Sequence, residues 1–417
     1  MSSDPSAQPP AKPKRVAGPR VFLTFNAVYL LAVYGASLWI HPLGADYANL
    51  ASAQGTSFPV PLALIGMEAR WFADTVPAYH SVNLVLLYAT MVCLFFFTRY
   101  ALRGPWWLGS LVAVLTMANP MKSEAVLRLT GVDVLWPMLM LSAALLALAS
   151  HLDRPRVWKL ALVHVFVLAG PAFLPAWRGA GVVLALYALL GAPETKAPRW
   201  AFLSFAIYSL LPPFEPIALA ELPLAPQSVL GPLLLVFYPI GFLPETVARL
   251  EQHLWLAWLE TVGMLVLAAL LVYRTRDRGL AFALLGMLAF RLLQPAETED
   301  LVHMAGGGRF LLPIALGSLA VAAIAQRVAR HPKWARPVVM MTTLLCVIYF
   351  ALQWREIGAW YHAAGEVRAY QQESVPSERA SGYYRTAPLS FEEAIRHDTP
   401  FSRQDTNEAA RATGEGE

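Results

Sequence analysis

Long apolar runs separated by short polar segments recur along nearly the whole chain. A helix needs about 20 predominantly apolar residues to cross a bilayer, so these runs predict membrane spans. The first run, 21–41, is too long for the apolar core of a signal peptide and predicts an uncleaved span. Further spans are predicted at about 79–98, 106–119, 132–151, 158–177, 179–191, 200–215, 254–273, 279–294, 310–328 and 337–354. The pattern therefore predicts an all-α polytopic membrane protein with about eleven transmembrane helices.

Three segments do not fit the spanning pattern. Residues 1–20 are rich in Pro, Ala and Ser and predict a disordered cytoplasmic arm. The apolar run 229–243 carries two internal prolines, and if it spanned the membrane every later loop would change sides. We therefore expect it to be a re-entrant or surface-lying segment on the outer face. Residues 21–354 form the transmembrane domain, and residues 355–417 form an outer-side polar tail that is partly helical and then disordered.

The basic residues support this arrangement, because cytoplasmic loops of membrane proteins collect Lys and Arg. Eighteen of the 32 Lys and Arg fall in the arm and in the loops predicted to be inside, including Arg274, Arg276 and Arg278. The amino terminus is then cytoplasmic and the carboxyl terminus periplasmic. The Ala/Leu/Pro/Arg-rich composition favours a bacterial inner membrane.

Composition excludes several classes of function. The chain is 57% hydrophobic and only 14% charged, whereas a soluble domain usually carries about 25% charged residues. Its two cysteines, Cys93 and Cys346, lie in apolar runs and cannot build a disulfide framework or a Cys-rich metal site. A net charge of +4 with scattered basic residues gives no nucleic-acid footprint. No metal ligands are predicted, and metal dependence is left open.

The candidate chemistry lies on the predicted outer face, where charges persist beside apolar spans. Charge near a bilayer is costly and is a functional hypothesis by default. Arg249, His253 and Glu260 fall on one side of a helix that enters the membrane, and His80 and Asn83 face one way at the mouth of the second span. A wet cavity for a polar or phosphorylated ligand and a set of solvated loop ends both fit this pattern.

Several local patterns occur in a consistent order. The stretch 77–84 reads Pro-Ala-Tyr-His-Ser-Val-Asn-Leu, and 119–126 reads Asn-Pro-Met-Lys-Ser-Glu-Ala-Val. The stretch 130–135 reads Thr-Gly-Val-Asp-Val-Leu, 235–242 reads Leu-Val-Phe-Tyr-Pro-Ile-Gly-Phe, and 309–313 reads Arg-Phe-Leu-Leu-Pro. Their order, spacing and sidedness resemble those of GT-C glycosyltransferases of the protein O-mannosyltransferase type, including the tetratricopeptide-bearing branch.

The resemblance implies a GT-C-like membrane enzyme that moves a sugar from a polyprenyl-phosphate donor to an acceptor protein or glycan on the outer face. In such enzymes an acid of the first outer loop is the base, and Asp46 occupies the matching position. The donor phosphate would be bound by Arg309, Arg178, Lys122 and Arg128. The other polar residues predicted to line the cavity are His80, Asn83, Glu124, Asp133, Arg249, His253 and Glu260. No covalently bound cofactor is implied.

Parts of the family's polar pattern are missing, which keeps a second hypothesis open. Leu87 and Asn119 stand where relatives have His, and no Arg precedes Asp133. The alternative function is a non-catalytic GT-C-derived membrane subunit that binds partner proteins through its outer loops and tail. A transporter is a third interpretation, but neither midplane charges nor two repeated halves are evident. Membrane lipids are partners under every interpretation.

Overall fold

The computed structural model describes residues 18–40, 60–72, 75–120, 123–169, 179–191, 203–208, 254–292 and 311–373. Within these ranges the secondary structure is helical and contains no strand. The α-helices are α1 (Pro19–Tyr34), α2 (Val60–Phe72), α3 (Val76–Leu102), α4 (Trp106–Ala118), α5 (Ser123–Leu127), α6 (Val132–Asp153), α7 (Val157–Ala169), α8 (Ala180–Leu186), α9 (Ser204–Tyr208), α10 (Leu254–Thr275), α11 (Arg278–Leu292), α12 (Leu311–Ala329) and α13 (Pro332–Glu373). A 3₁₀ turn (Gly35–Trp39) extends α1, and a π-helical turn (Tyr187–Gly191) extends α8.

Five helical segments in the described part are long and apolar enough to cross a membrane. They are Pro19–Trp39, Val76–Leu102, Val132–Asp153, Leu311–Ala329 and Pro332–Gly358. The apolar helices α4, α7, α8 and α11 are shorter than a full span, as is the apolar segment Leu265–Thr275 of α10. This composition indicates an integral membrane protein built from α-helices. The predicted number of eleven spans stays a prediction, and the segment 229–243 lies outside the described residues.

One end of the helix bundle consists of tight turns. Residues 103–105 join α3 to α4, and residues 276–277 join α10 to α11. Both turns use an arginine with positive φ, Arg103 at 48° and Arg276 at 52°. Gln326 Nε2 of α12 donates to the Leu102 carbonyl across 3.2 Å, which brings a third helix to the same end. We call this the basic end because most of the described cations lie there: Arg99, Arg103, Arg154, Arg156, Lys159, Arg274, Arg276, Arg278, Arg327, Arg330, Lys333 and Arg336.

The opposite end collects buried polar side chains, and we call it the polar end. The end of α1, the start of α3, the end of α4, α5 and the start of α6 meet there. The Tyr34 hydroxyl donates to the Met117 carbonyl across 2.9 Å, so α1 and α4 run in the same direction and finish together. Helix α13 is longer than the predicted span 337–354, and its buried face continues through Trp360 and Ala364. The predicted start of the tail at 355 therefore falls within a continuous helix.

Candidate polar site

The polar end has three connected parts among the described residues. The junction between α5 and α6 contains Arg128, Thr130 and Asp133. The first turns of α3 supply His80 and Asn83, and α2 supplies Glu68. All three groups depend on polar side chains placed at the ends of apolar helices, where a buried polar group must find a partner.

Arg128 and Asp133 form an ion pair across this junction. Arg128 Nη2 donates to Asp133 Oδ2 at 2.7 Å, and Arg128 Nε donates to the Thr130 hydroxyl at 3.3 Å. Their side chains are only 14% and 17% exposed. A charge-assisted pair in such a setting is short and strong. The guanidinium is therefore held by the protein's own carboxylate, in the first turn of α6.

Asn83 holds the backbone that leads into α6. Its Nδ2 donates to the Arg128 carbonyl at 2.9 Å and lies 3.5 Å from the carbonyls of Val126 and Leu129. Gly131 allows this close approach, because a Cβ at this position would lie 2.2 Å from the Ala125 carbonyl oxygen and 3.1 Å from Asn83 Nδ2. The Thr-Gly-Val-Asp sequence thus has a structural reason for its glycine.

His80 connects α3 to the end of the first span. Its Nε2 lies 2.9 Å from the Ile40 carbonyl, and the ring is buried. Because the acceptor is a carbonyl oxygen, Nε2 must carry a hydrogen in this contact. His80 and Asn83 are both buried, and each bonds to backbone.

Glu68 of α2 is a buried acid beside this junction. It is 5% exposed, and its Oε2 meets no hydrogen-bond donor among the described residues. Burial raises the pKa of Glu68 to about 8, and the negative charge of Asp133 adds to the shift. Glu68 is therefore mainly neutral at pH 7, and the carboxylate of Asp133 is paired with Arg128.

Gln353 and Glu356 of α13 are also buried at this end, at 0% and 1% exposure. The part of α13 that carries them packs against α5 and the Gly35–Trp39 turn. A polar layer thus extends from α2 and α6 toward α13.

Of the residues predicted to form the site, the structure brings together Arg128, Asp133 and Asn83, with His80 on the next turn of α3. Glu124 and Glu260 lie on α5 and α10, but their side chains are outside what the structure describes. Five other predicted residues lie outside the described ranges altogether: Asp46, Lys122, Arg178, Arg249 and Arg309. His253 also precedes the first described residue of α10. Their predicted roles stay predictions.

The structure adds Glu68, Gln353 and Glu356 to the candidate residues. Glu68 is one of several charged residues between the first two predicted spans, and nothing in the sequence distinguishes it from a solvated acid. Gln353 had a signal, since Tyr349, Gln353, Ile357, Trp360 and Ala364 are spaced at three or four residues, which is the period of one buried helix face. If this buried face is followed past Arg355 and Glu356, the predicted span 337–354 becomes longer.

Comparisons with protein-family models, with curated proteins and with solved structures found no match for this chain.

Proposed function

We propose that the chain is a GT-C-type glycosyltransferase of a bacterial inner membrane. It would move a sugar from a polyprenyl-phosphate donor to an acceptor protein or glycan at the periplasmic face. The observation that supports this proposal is the polar end, where Glu68 and His80 are buried and the Arg128–Asp133 pair is mostly buried, at the end of the bundle opposite the basic turns. The proposal puts that end on the outer side, because the cations of the basic end are expected to be cytoplasmic.

The chemistry requires a base for the acceptor and cations for the leaving phosphate. An alcohol is a weak nucleophile, and a positioned carboxylate that takes its proton contributes about 10²–10⁴-fold. Asp46 is the proposed base, because it follows the first predicted span and matches the position of the base in GT-C enzymes. Arg309, Arg178 and Lys122 are the proposed partners of the phosphate, whose charge grows as the glycosidic bond breaks. Arg128 is ion-paired with Asp133 and is the weakest of the four candidates.

The test is sugar transfer by the purified protein in lipid nanodiscs, with a panel of radiolabelled polyprenyl-phosphate sugars and membrane acceptor fractions. We expect Asp46→Asn to lower turnover by about 100-fold or more without loss of folded protein. Asp74→Asn, which removes another carboxylate of the same loop, is the matched control and should retain activity. Normal transfer by Asp46→Asn would contradict the assignment of the base.

A non-catalytic membrane subunit is the second candidate, and one observation favours it. Arg128, Asn83 and His80 each bond to the protein itself, to Asp133 or to backbone carbonyls. Under this alternative Asp46→Asn has no effect, whereas removal of the chain after Glu373 abolishes association with a partner protein. That truncation keeps all of α13, including its buried face.

A further inference from the structure

We propose that the seam between α2 and α6, defined by Glu68, Trp71, Asp133 and Trp136, binds the ring of a neutral sugar. The choice of ligand class rests on the proposed function, which this inference deepens. The seam itself is given by the packing of α2 against the start of α6. Four features of these residues support the assignment.

The first feature is a buried hydrogen-bonding group with unused capacity. Glu68 is 5% exposed, and its Oε2 has no hydrogen-bond donor within the described part of the chain. A buried polar atom left in this state is costly, and a ligand that supplies the partner would recover that cost. Because burial raises the pKa of Glu68 to about 8, the neutral acid can both donate and accept at pH 7.

The second feature is the charge of the seam. Asp133 carries one negative charge, and Arg128 balances it at 2.7 Å. With Glu68 neutral, Glu68, Asp133 and Arg128 together carry no net charge. A phosphate would be repelled by Asp133 and would compete with it for Arg128, whereas a polyhydroxyl compound brings no charge. The seam therefore suits sugar hydroxyls better than the phosphate of a lipid carrier.

The third feature is the pair of tryptophans. Trp71 follows Glu68 by three residues on α2, and Trp136 follows Asp133 by three residues on α6. Residues three apart on a helix are neighbours on its surface, so each carboxyl group has an indole one turn away. Trp71 is 71% exposed and Trp136 is 36% exposed.

The fourth feature is how these groups complement a pyranose ring. A pyranose has a flat C–H face and a rim of hydroxyls. Ligand sites commonly combine aromatic walls with a few fixed polar groups. Here the indoles would cover the apolar face, and the carboxyl groups would bond to the hydroxyls. The acid and the carboxylate together provide a donor and acceptors for a pair of adjacent hydroxyls.

The experiment measures binding rather than transfer. The full chain is reconstituted in nanodiscs without glycoside detergents, and methyl α-D-mannopyranoside and methyl α-D-glucopyranoside are titrated by saturation-transfer NMR. We expect at least one of the two to bind, and Trp71→Ala to weaken binding at least ten-fold. Trp334→Ala is the matched control, because Trp334 is 58% exposed at the basic end. It should bind as the wild type does.

A pH series separates the role of Glu68 from that of the indoles. Raising the pH from 7 to 9 ionises Glu68, so wild-type affinity should fall about ten-fold. Glu68→Gln stays neutral and keeps a donor and an acceptor, so its affinity should be near that of the wild type at pH 7 and should not fall at pH 9. Glu68→Ala should bind poorly at both pH values. Thermal unfolding of each variant shows that it is folded.

The outcomes distinguish this inference from the proposed function. If the wild type binds neither glycoside, or if Trp71→Ala and Glu68→Ala bind like the wild type, the sugar seam is wrong even in a protein that transfers sugar. If the variants lose binding in a protein that transfers nothing, the seam stands and the transferase proposal fails.

Discussion

The two ends of the bundle use charge in opposite ways. At the basic end, Arg154 lies 3.8 Å from Asp153, and these side chains are 85% and 43% exposed. At the polar end, Arg128 and Asp133 are 2.7 Å apart and mostly buried. An exposed pair contributes little to stability, whereas a buried pair must stay intact because each charge depends on the other. The basic end therefore carries charge that is open to the surroundings, and the polar end carries charge that is part of its packing.

Gly104 at the basic end and Gly131 at the polar end differ in what an added side chain would meet. A Cβ at Gly104 would meet the ends of two flexible side chains, Leu108 and Gln326. A Cβ at Gly131 would meet the backbone oxygen of Ala125, which cannot move without shifting α5. A methyl group is therefore tolerated better at Gly104 than at Gly131.

The largest expected effect comes from breaking the buried ion pair. Asp133→Ala leaves the Arg128 charge without its partner in a mostly buried site, and we expect a loss of about 3 kcal/mol in the free energy of unfolding. Asp153→Ala removes the exposed carboxylate at the basic end and should cost no more than about 0.5 kcal/mol. Unfolding in mixed micelles measures both. Equal losses of unfolding free energy in the two variants would mean that the two ion pairs contribute equally to stability.

Gly131→Ala should be nearly as damaging. The new methyl group displaces the Ala125 carbonyl or the Asn83 side chain, at a cost of about 2–3 kcal/mol. Gly104→Ala is the matched change at the basic end, where side chains can rotate away, and a cost of about 1 kcal/mol or less is expected. The same unfolding assay applies. If Gly104→Ala proves the more destabilising, the close approach at Gly131 is not the constraint we describe.

Asn83→Ala removes the amide that holds the entry to α6. The carbonyls of Val126, Arg128 and Leu129 lose a shared donor, and we expect about 1–2 kcal/mol of destabilisation. Gln326→Ala removes one side chain to backbone bond at the basic end and should cost less. Backbone hydrogen exchange at residues 126–131 gives a local readout, and unchanged protection there in Asn83→Ala would contradict the role assigned to the amide.

Many of the helices could be predicted from the sequence, because each long apolar run indicates a membrane-spanning helix. The span predicted at 132–151 lies within α6, and the one at 79–98 lies within α3. Helix α2 was missed, since its 13 residues are too few to give a spanning signal. Glu68 and Asp133 come together because α2 packs against α6. That packing is a tertiary contact, and no local sequence pattern predicts it. The sequence contains Gly131 but does not show that its backbone lies too close to the Ala125 carbonyl for a side chain.

The pH dependence of stability has a definite sign. The pKa of Glu68 is raised to about 8 in the folded protein, so the unfolded chain releases this proton at lower pH than the folded one. Stability should therefore fall as the pH rises from about 4.5 to 8 and should level off above that. Glu68→Gln should remove this part of the decline, which thermal unfolding across pH 5–9 would measure. An identical decline in the variant would show that Glu68 does not hold the proton.

The proposed function requires that the basic end and the polar end face opposite sides of the membrane. Thr275 lies at the basic end, and Tyr361 lies on the part of α13 that extends past the polar end. In a background of Cys93→Ala and Cys346→Ala, Thr275→Cys and Tyr361→Cys are each treated in intact bacterial cells with a thiol reagent that reaches the periplasm but not the cytoplasm. We predict that only Tyr361→Cys is labelled, and that Thr275→Cys is labelled once the membrane is opened. Labelling of Thr275→Cys in intact cells, with Tyr361→Cys protected, would place the polar end inside and contradict the account.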